Sequence, residues 1–161
     1  TKGITETIAK KYKDATNFLY LGRGFSYPVA LEGALKLKKV SYVHAEGFPA
    51  GEVKNGPITM LNDIFPTIAI MPSDSVYEVM YNDVKQLKER SSPIIAIATA
   101  GNTDIHSVAD DVIFIPDTRE CLSPILANIP LQLFAYYSGA LRGFTQDPPT
   151  RPTNVMFDEE K

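Results

Sequence analysis

The stretch that decides the fold covers residues 17–43 and reads NFLYLGRGFSYPVALEGALKLKKVSYV. It opens with Asn17–Leu21, a short apolar run that leads into Gly22 and Gly24. This is the pattern of a buried strand entering a tight turn. From Pro28 to Val43, apolar residues recur at helical spacing among good helix formers. A strand, a glycine turn and a helix together predict the opening of a βαβ unit.

The rest of the chain continues this alternation. It predicts strands over Phe65–Met71, Pro93–Ala98 and Asp111–Ile115, and helices over Thr5–Tyr12, Ser73–Arg90 and Ser123–Leu141. The predicted buried face of the middle helix comprises Val76, Val79, Met80, Val84 and Leu87. Glycine and proline punctuate Glu46–Pro57, which predicts a loop with one helical turn around Gly51–Lys54. Apolar strands that alternate with helices predict a parallel sheet covered on both faces, a doubly wound α/β sandwich of three layers, αβα.

The predicted organisation has three parts. Residues 1–16 form a linker helix, residues 17–145 form the domain, and residues 146–161 form an extended C-terminal tail rich in proline. The abrupt start at a linker-like helix also predicts that a further domain precedes residue 1.

Composition excludes several classes of function. The net charge is −3, so we expect the chain to lack the basic surface that a nucleic-acid partner requires. No apolar run is long enough to span a bilayer and no signal peptide is recognisable, so we expect a soluble, cytoplasmic protein without a membrane partner. The single cysteine, Cys121, fits a reducing compartment. It opens an apolar run, so we expect a small buried residue and not a nucleophile.

The turn between the first strand and its helix is the first candidate site. Gly22 and Gly24 allow the backbone to turn sharply, and the N terminus of a helix favours an anion. Ser26 either caps the helix or contacts a ligand. The dinucleotide fingerprint is incomplete, since no third glycine follows.

Charged residues on the helix and in the loop that follows are the other candidates. Glu32 and Lys36 are four residues apart and predict a stabilising pair. Lys36 and Lys39 share one face, which is either solvated or an anion site. His44 and Glu46 are too close in sequence to form a catalytic pair on their own, and a lone histidine is more often structural.

Four stretches, taken in order, resemble the second sugar isomerase (SIS) domain of the glucosamine-6-phosphate synthase family. They are LGRG…YPVALEGALKLK, the loop SYVHAEGFPAGEVKNGP, the helix segment IPLQLFAYY and the segment RGFTQDPP. The resemblance implies a sugar-phosphate (hexose 6-phosphate) ligand and a partner SIS domain or subunit in a homo-oligomer. In the family's full enzyme, fructose 6-phosphate and glutamine give glucosamine 6-phosphate and glutamate without a metal or organic cofactor. From the turn and the helix we predict Gly22, Gly24, Ser26, Glu32 and Lys36 as substrate-binding residues.

The family's catalytic positions are substituted in this chain. Lys39 stands where the family has a proton-transfer glutamate, and an ammonium group does not readily replace a carboxylate base. Asn55 stands where the family has a ring-opening histidine, and an amide does not shuttle protons near neutral pH. The tail DPPTRPTNVMFDEEK lacks the family's lysine at the matching place.

Three hypotheses remain open at this stage. The chain is a module of a working aminotransferase, or it is a SIS domain that senses a sugar phosphate or dimerises without chemistry. In the third, it catalyses a different sugar-phosphate reaction through Lys36, Lys39 or Glu52.

Overall fold

The computed structural model describes residues 1–144. The strands are β1 (Asn17–Gly22), β2 (His44–Pro49), β3 (Thr67–Met71), β4 (Ile94–Thr99) and β5 (Asp111–Ile115). The α-helices are α1 (Lys2–Lys11), α2 (Ser26–Ser41), α3 (Tyr77–Lys88) and α4 (Ser123–Leu141). Short 3₁₀ helices cover Ala50–Asn55, Pro57–Met60, Asp104–Ser107 and Glu120–Leu122. Within this part of the chain, no helix is long and apolar enough to cross a membrane.

The five strands form one parallel sheet in the order β2-β1-β3-β4-β5. Side chains alternate between its two faces, as the pleat of a strand requires. On β1, Phe18 and Tyr20 pack on the side of α1, α2 and α4. Leu19 and Leu21 pack on the other side, with α3 and the 3₁₀ segments. The predicted three-layer α/β sandwich is therefore confirmed.

Helices α2 and α4 approach each other closely through two glycines. A Cβ atom on Gly33 would lie 2.8 Å from the Leu131 Cδ1 atom and 2.8 Å from Tyr20 Cε1. A Cβ atom on Gly139 would lie 2.7 Å from the Val40 carbonyl oxygen. Real Cβ contacts are longer than this. A side chain at position 139 would therefore force the two helices apart, and one at position 33 would displace the side chains of Leu131 and Tyr20.

Helix α1 begins at Lys2, three residues before the predicted start, and is docked against the domain. Ile8 and Ala9 are buried in the core. The Lys11 Nζ atom and the Tyr12 hydroxyl each donate to Asp111 Oδ2 over 2.6 Å, which ties the end of the helix to β5. The division into linker, domain and tail stays a prediction, and residues 146–161 lie outside the described residues.

Two sequence predictions, one on β2 and one on α3, are wrong. The predicted loop over Glu46–Pro57 begins as the edge strand β2, which pairs with β1 along its whole length. Position 47 of β2 requires a glycine, because a Cβ atom there would lie 2.9 Å from the backbone of Leu31. On α3, Val79 was predicted to be buried but is 49% exposed. The position that α3 buries instead is Asp83.

Candidate functional site

The strand order places a crevice at the carboxyl ends of β1 and β3. From β1 the chain proceeds to β2 on one side, whereas β3 lies on its other side. Such a reversal in a parallel sheet is where ligands bind in doubly wound folds. Two loops line this edge, residues 22–26 after β1 and residues 72–76 after β3.

The loop after β1 requires glycine at both predicted positions. A Cβ atom on Gly22 would lie 2.2 Å from the Ser26 carbonyl oxygen. Gly24 has φ +55°, in the left-handed region that glycine adopts without strain. Ser26 is buried as the first residue of α2, whose N terminus has no side-chain capping bond. The capping interpretation of Ser26 is therefore wrong, and ligand contact by Ser26 stays a prediction.

Arg23 joins this loop to two other segments. Its Nη2 atom lies 2.7 Å from the Oδ2 atom of Asp83 on α3, whose side chain is 10% exposed. A Cβ atom on Gly51 would lie 2.9 Å from the same Nη2 atom, so the guanidinium packs directly on the first 3₁₀ helix. A cation paired in this way holds the loop in place but does not offer its full charge to an incoming anion.

The loop after β3 directs its hydrogen-bond donors at the protein's own oxygen atoms. The Ser73 amide donates to Thr99 Oγ1 over 2.9 Å, and the Val76 amide donates to Asp74 Oδ1 over 3.1 Å. The hydroxyl of Ser75 donates to Glu120 Oε1 over 2.7 Å, and its amide to Oε2 over 3.3 Å. Burial raises the pKa of the Asp74 carboxyl, and the nearby Glu120 charge raises it further.

These contacts determine what the crevice can bind. The N terminus of a helix attracts anions, and the N terminus of α3 already has Asp74 and Glu120 beside it. A second anion would face repulsion from both carboxylates. The α3 side of the crevice is therefore a poor place for a phosphate group.

The charged residues of α2 lie on a different surface. Lys36 Nζ is 3.1 Å from Glu32 Oε1, which confirms the predicted pair. Lys39 is exposed three residues farther on. Because α2 returns from the carboxyl edge to the amino edge of the sheet, Lys39 lies about 20 Å along the helix axis from Ser26, at ~1.5 Å per residue. The exposed side chains of Leu31 and Leu35 extend the same face.

Asn55 lies at the end of the 3₁₀ helix that follows β2, at the carboxyl edge. Its Nδ2 atom donates to Glu52 Oε2 over 2.8 Å, and both residues are exposed. His44 and Glu46 stand at the start of β2, and His44 Nε2 is 3.7 Å from Glu46 Oε1 in an exposed contact. An exposed pair of this kind contributes little to stability.

The structure thus separates the sequence-predicted residues into two groups. Gly22, Gly24, Ser26 and Asn55 lie at the carboxyl edge, whereas Lys36 and Lys39 lie along α2 toward the amino edge. Sequence reasoning missed the loop after β3, the carboxylate of Asp74 within it and the carboxylate of Glu120 that faces it. Glu120 is 45 residues from Ser75, so no local spacing reveals the contact.

Cys121 is exposed, so its predicted burial is wrong. It lies in the short 3₁₀ helix Glu120–Leu122 that precedes α4, where none of the residues is buried. Among residues 1–144, no group of three or more His, Cys, Asp or Glu side chains is arranged to hold a metal ion.

The sequence of this chain matches a known protein family and curated proteins. The SIS domain family matches residues 11–142. The glutamine–fructose-6-phosphate aminotransferase (isomerizing) of Bacteroides thetaiotaomicron is 46% identical over 142 residues, 88% of this chain. The protein of the same name from Chlorobaculum tepidum is 47% identical over the same share of the chain. This chain spans 23% of the length of each of these relatives.

A solved structure with the same fold comes from a protein whose name corresponds to those of these relatives. The C-terminal domain of glucosamine-fructose-6-phosphate aminotransferase from Francisella tularensis superposes with a TM-score of 0.83 at 30% identity. The match covers 89% of this chain and 41% of that one.

Proposed function

This chain belongs to the SIS domain family, and on that premise we propose that it is the sugar-phosphate-binding SIS domain of a glucosamine-6-phosphate synthase-like protein. The full protein converts fructose 6-phosphate and glutamine into glucosamine 6-phosphate and glutamate, in the cytoplasm. The chain spans only 23% of such relatives, so this activity requires segments beyond it.

The observation that supports this proposal is the separation of the charged groups. Lys36 and Lys39 are presented on the exposed face of α2, away from the crevice where Asp74 and Glu120 disfavour phosphate. A ligand at α2 needs a second surface to enclose it, since binding sites are concave. We assign that second surface to another SIS domain, which a second copy of this chain can also supply. Lys36 and Lys39 then contribute positive charge, and Glu32 orients Lys36.

The partner surface that fits this proposal is the outer face of α4. Ile125 and Ile129 are 64% and 49% exposed and lie four residues apart on one side of the helix. Leu122 precedes them and Tyr136 continues the same side. An apolar stripe of this kind on a surface helix, interrupted here by the exposed Gln132, is typical of a protein–protein interface. We propose that it joins two SIS domains, within one protein or in a homo-oligomer.

Calorimetric titration of the purified chain tests the ligand. Fructose 6-phosphate and glucosamine 6-phosphate are titrated into the parent chain, Lys36→Ala, and a matched control, Lys85→Ala, in which an exposed lysine of α3 is removed. We expect saturable binding that Lys36→Ala weakens several-fold and Lys85→Ala leaves unchanged. Equal losses in both variants, or no heat with either sugar, would contradict a ligand surface on this chain.

A second function, sugar-phosphate sensing or dimerisation without chemistry, is favoured by one observation. The Asn55 amide donates to Glu52 Oε2 and has no proton to transfer near neutral pH, and Lys39 is exposed at the glutamate position. A chimaera separates the two functions by replacing the matched segment of the Bacteroides relative with this chain. Turnover that appears only after Lys39→Glu and Asn55→His supports the non-catalytic alternative. Turnover with the native residues supports the enzyme.

A further inference from the structure

A cleft on the α3 side of the sheet lies outside the surfaces described so far. It has a volume of about 390 Å³ and opens between α3 and the 3₁₀ helix Asp104–Ser107. Its lining residues are Tyr77, Glu78, Tyr81, Thr103, Asp104 and Ser107. This volume falls within the range of small-molecule sites in proteins, roughly 300–1,000 Å³.

The two walls of the cleft are held together in the free protein. The hydroxyls of Tyr81 and Ser107 form a hydrogen bond of 2.7 Å that joins α3 to the 3₁₀ helix. The Ile105 amide donates to Asn102 Oδ1 over 3.2 Å, and the Ile105 side chain is fully buried. A ligand would therefore meet a preformed shape and would not bear the cost of ordering a loop.

The chemistry of the lining selects against anions. Glu78 and Asp104 contribute carboxylates, and none of the lining residues is Lys, Arg or His. Burial raises the pKa of the Tyr77 hydroxyl, and the charges of Asp104 and Glu78 add to this rise. The two carboxylates give the cleft a negative potential, which repels phosphate groups.

Aromatic rings complete the set of groups. The centroids of Tyr77 and Tyr81 are 6.1 Å apart, with ring planes inclined by 42°. Faces of aromatic rings attract cations, and the attraction to alkylammonium groups is strongest where water is excluded. Two rings beside two carboxylates form the kind of surface that binds a positively charged organic group.

We propose that the cleft between α3 and the 3₁₀ helix Asp104–Ser107 binds a small organic ammonium ion, through the rings of Tyr77 and Tyr81 and the carboxylates of Glu78 and Asp104. This site is separate from the sugar-phosphate surface on α2, which lies on the opposite face of the sheet. Its ligand is distinguished from a phosphosugar by the sign of its charge.

The experiment titrates choline into the 161-residue chain. Binding is monitored by NMR of isotopically labelled tyrosine. The neutral control ligand is the carbon isostere of choline, in which a tert-butyl group replaces the trimethylammonium group. The test variant combines Glu78→Gln with Asp104→Asn. The matched control variant combines Asp63→Asn with Glu89→Gln, which removes the same charge from two exposed positions outside the cleft.

We expect choline to shift the Tyr77 and Tyr81 resonances saturably and the isostere to bind about tenfold more weakly. The test variant should lose about the same factor for choline, whereas the control variant should bind like the parent. Equal affinity for choline and its isostere in the parent chain would overturn the proposal, whatever the variants do. So would the absence of saturable shifts at both tyrosines, or an equal loss in the control variant.

Discussion

The carboxyl edge of the sheet and the outer face of α2 differ in how their polar groups are used. At the edge, Arg23 pairs with Asp83, and the Ser75 amide and hydroxyl donate to Glu120. On α2, Lys36 has one half-exposed partner, Glu32, and Lys39 is open to solvent. At the edge these side chains pair within the protein, whereas the helix presents its charged groups outward.

This difference separates the residues that maintain the fold from those available for function. Substitution at the edge disturbs contacts between several elements, so we expect a cost in stability. Substitution on the outer face of α2 disturbs few contacts, so we expect a change at Lys39 to leave the fold intact. Four predictions test this separation.

Gly22→Ala should have the largest effect on stability. The added Cβ atom would lie 2.2 Å from the Ser26 carbonyl oxygen, and backbone atoms cannot move aside as a flexible side chain can. We expect a loss of about 3 kcal/mol in the free energy of unfolding. Urea unfolding followed by circular dichroism measures it. The control is Gly3→Ala on α1, where no atom lies within 4 Å. It should leave stability unchanged or raise it by up to about 1 kcal/mol.

Asp83→Asn should have the next largest effect. It removes the charge that faces Arg23 in a contact that is largely shielded from water. We expect a loss of about 2 kcal/mol, because hydrogen bonds between charged groups are stronger than neutral ones. Glu32→Gln removes the charge from the half-exposed pair on α2 and should cost only about 0.3–0.5 kcal/mol. Similar losses in the two variants would remove the distinction between the edge and the helix face.

Asp74→Asn should change how stability depends on pH. The pKa of Asp74 is raised in the folded protein by burial and by Glu120, so its ionisation costs stability as the pH rises through that pKa. The variant lacks this cost. Its stability relative to the parent should therefore increase as the pH rises through the range in which Asp74 ionises. Urea midpoints measured across that range check the sign.

The same mechanism predicts how a second variant should behave. Glu120→Gln removes a charge that raises the pKa of Asp74, so that pKa should fall and the pH-dependent cost should shrink. A parent chain whose stability relative to Asp74→Asn does not change with pH would contradict the assignment.

Lys39→Glu should have the smallest effect on stability. The residue is exposed in the last turn of α2, where the helix dipole slightly favours a cation. We expect a change within about 0.5 kcal/mol, measured by the same unfolding assay. A loss comparable to that of Asp83→Asn would show that Lys39 has a structural role, and the outer face of α2 would no longer be distinct from the edge.

Much of the fold was predictable because apolar periodicity is a local signal. The predicted bounds of β5 and α4 agree with the structure, and β1 extends only one residue beyond its prediction. Strand β2 was missed because its sequence, HAEGFP, contains a glycine and a proline that are typical of loops. Both are tolerated at the edge of a sheet, where only one side of the strand is paired. Helix α3 begins four residues later than predicted, because Asp74 accepts the Val76 amide in a turn.

The candidate site was less predictable because its contacts are long-range. The Glu32–Lys36 pair follows from helical spacing and is confirmed. The Arg23–Asp83 pair joins residues 60 positions apart, and Glu120 reaches Ser75 from another loop. The resemblance to the family predicts that Lys39 and Asn55 are substituted catalytic positions, which stays a prediction. Only the structure shows that the two residues lie at opposite edges of the sheet.

The contact of Gly139 with the Val40 carbonyl has a mechanical consequence. It holds α4 against the last turn of α2, next to Lys39, at a separation that leaves no room for a side chain at position 139. Because packed interiors have low compressibility, a displacement of α4 at this contact is passed to the backbone next to Lys39. In the assembly proposed through α4, helix geometry would then set the distance between the two Lys39 backbones, which limits the region that the two side chains can reach.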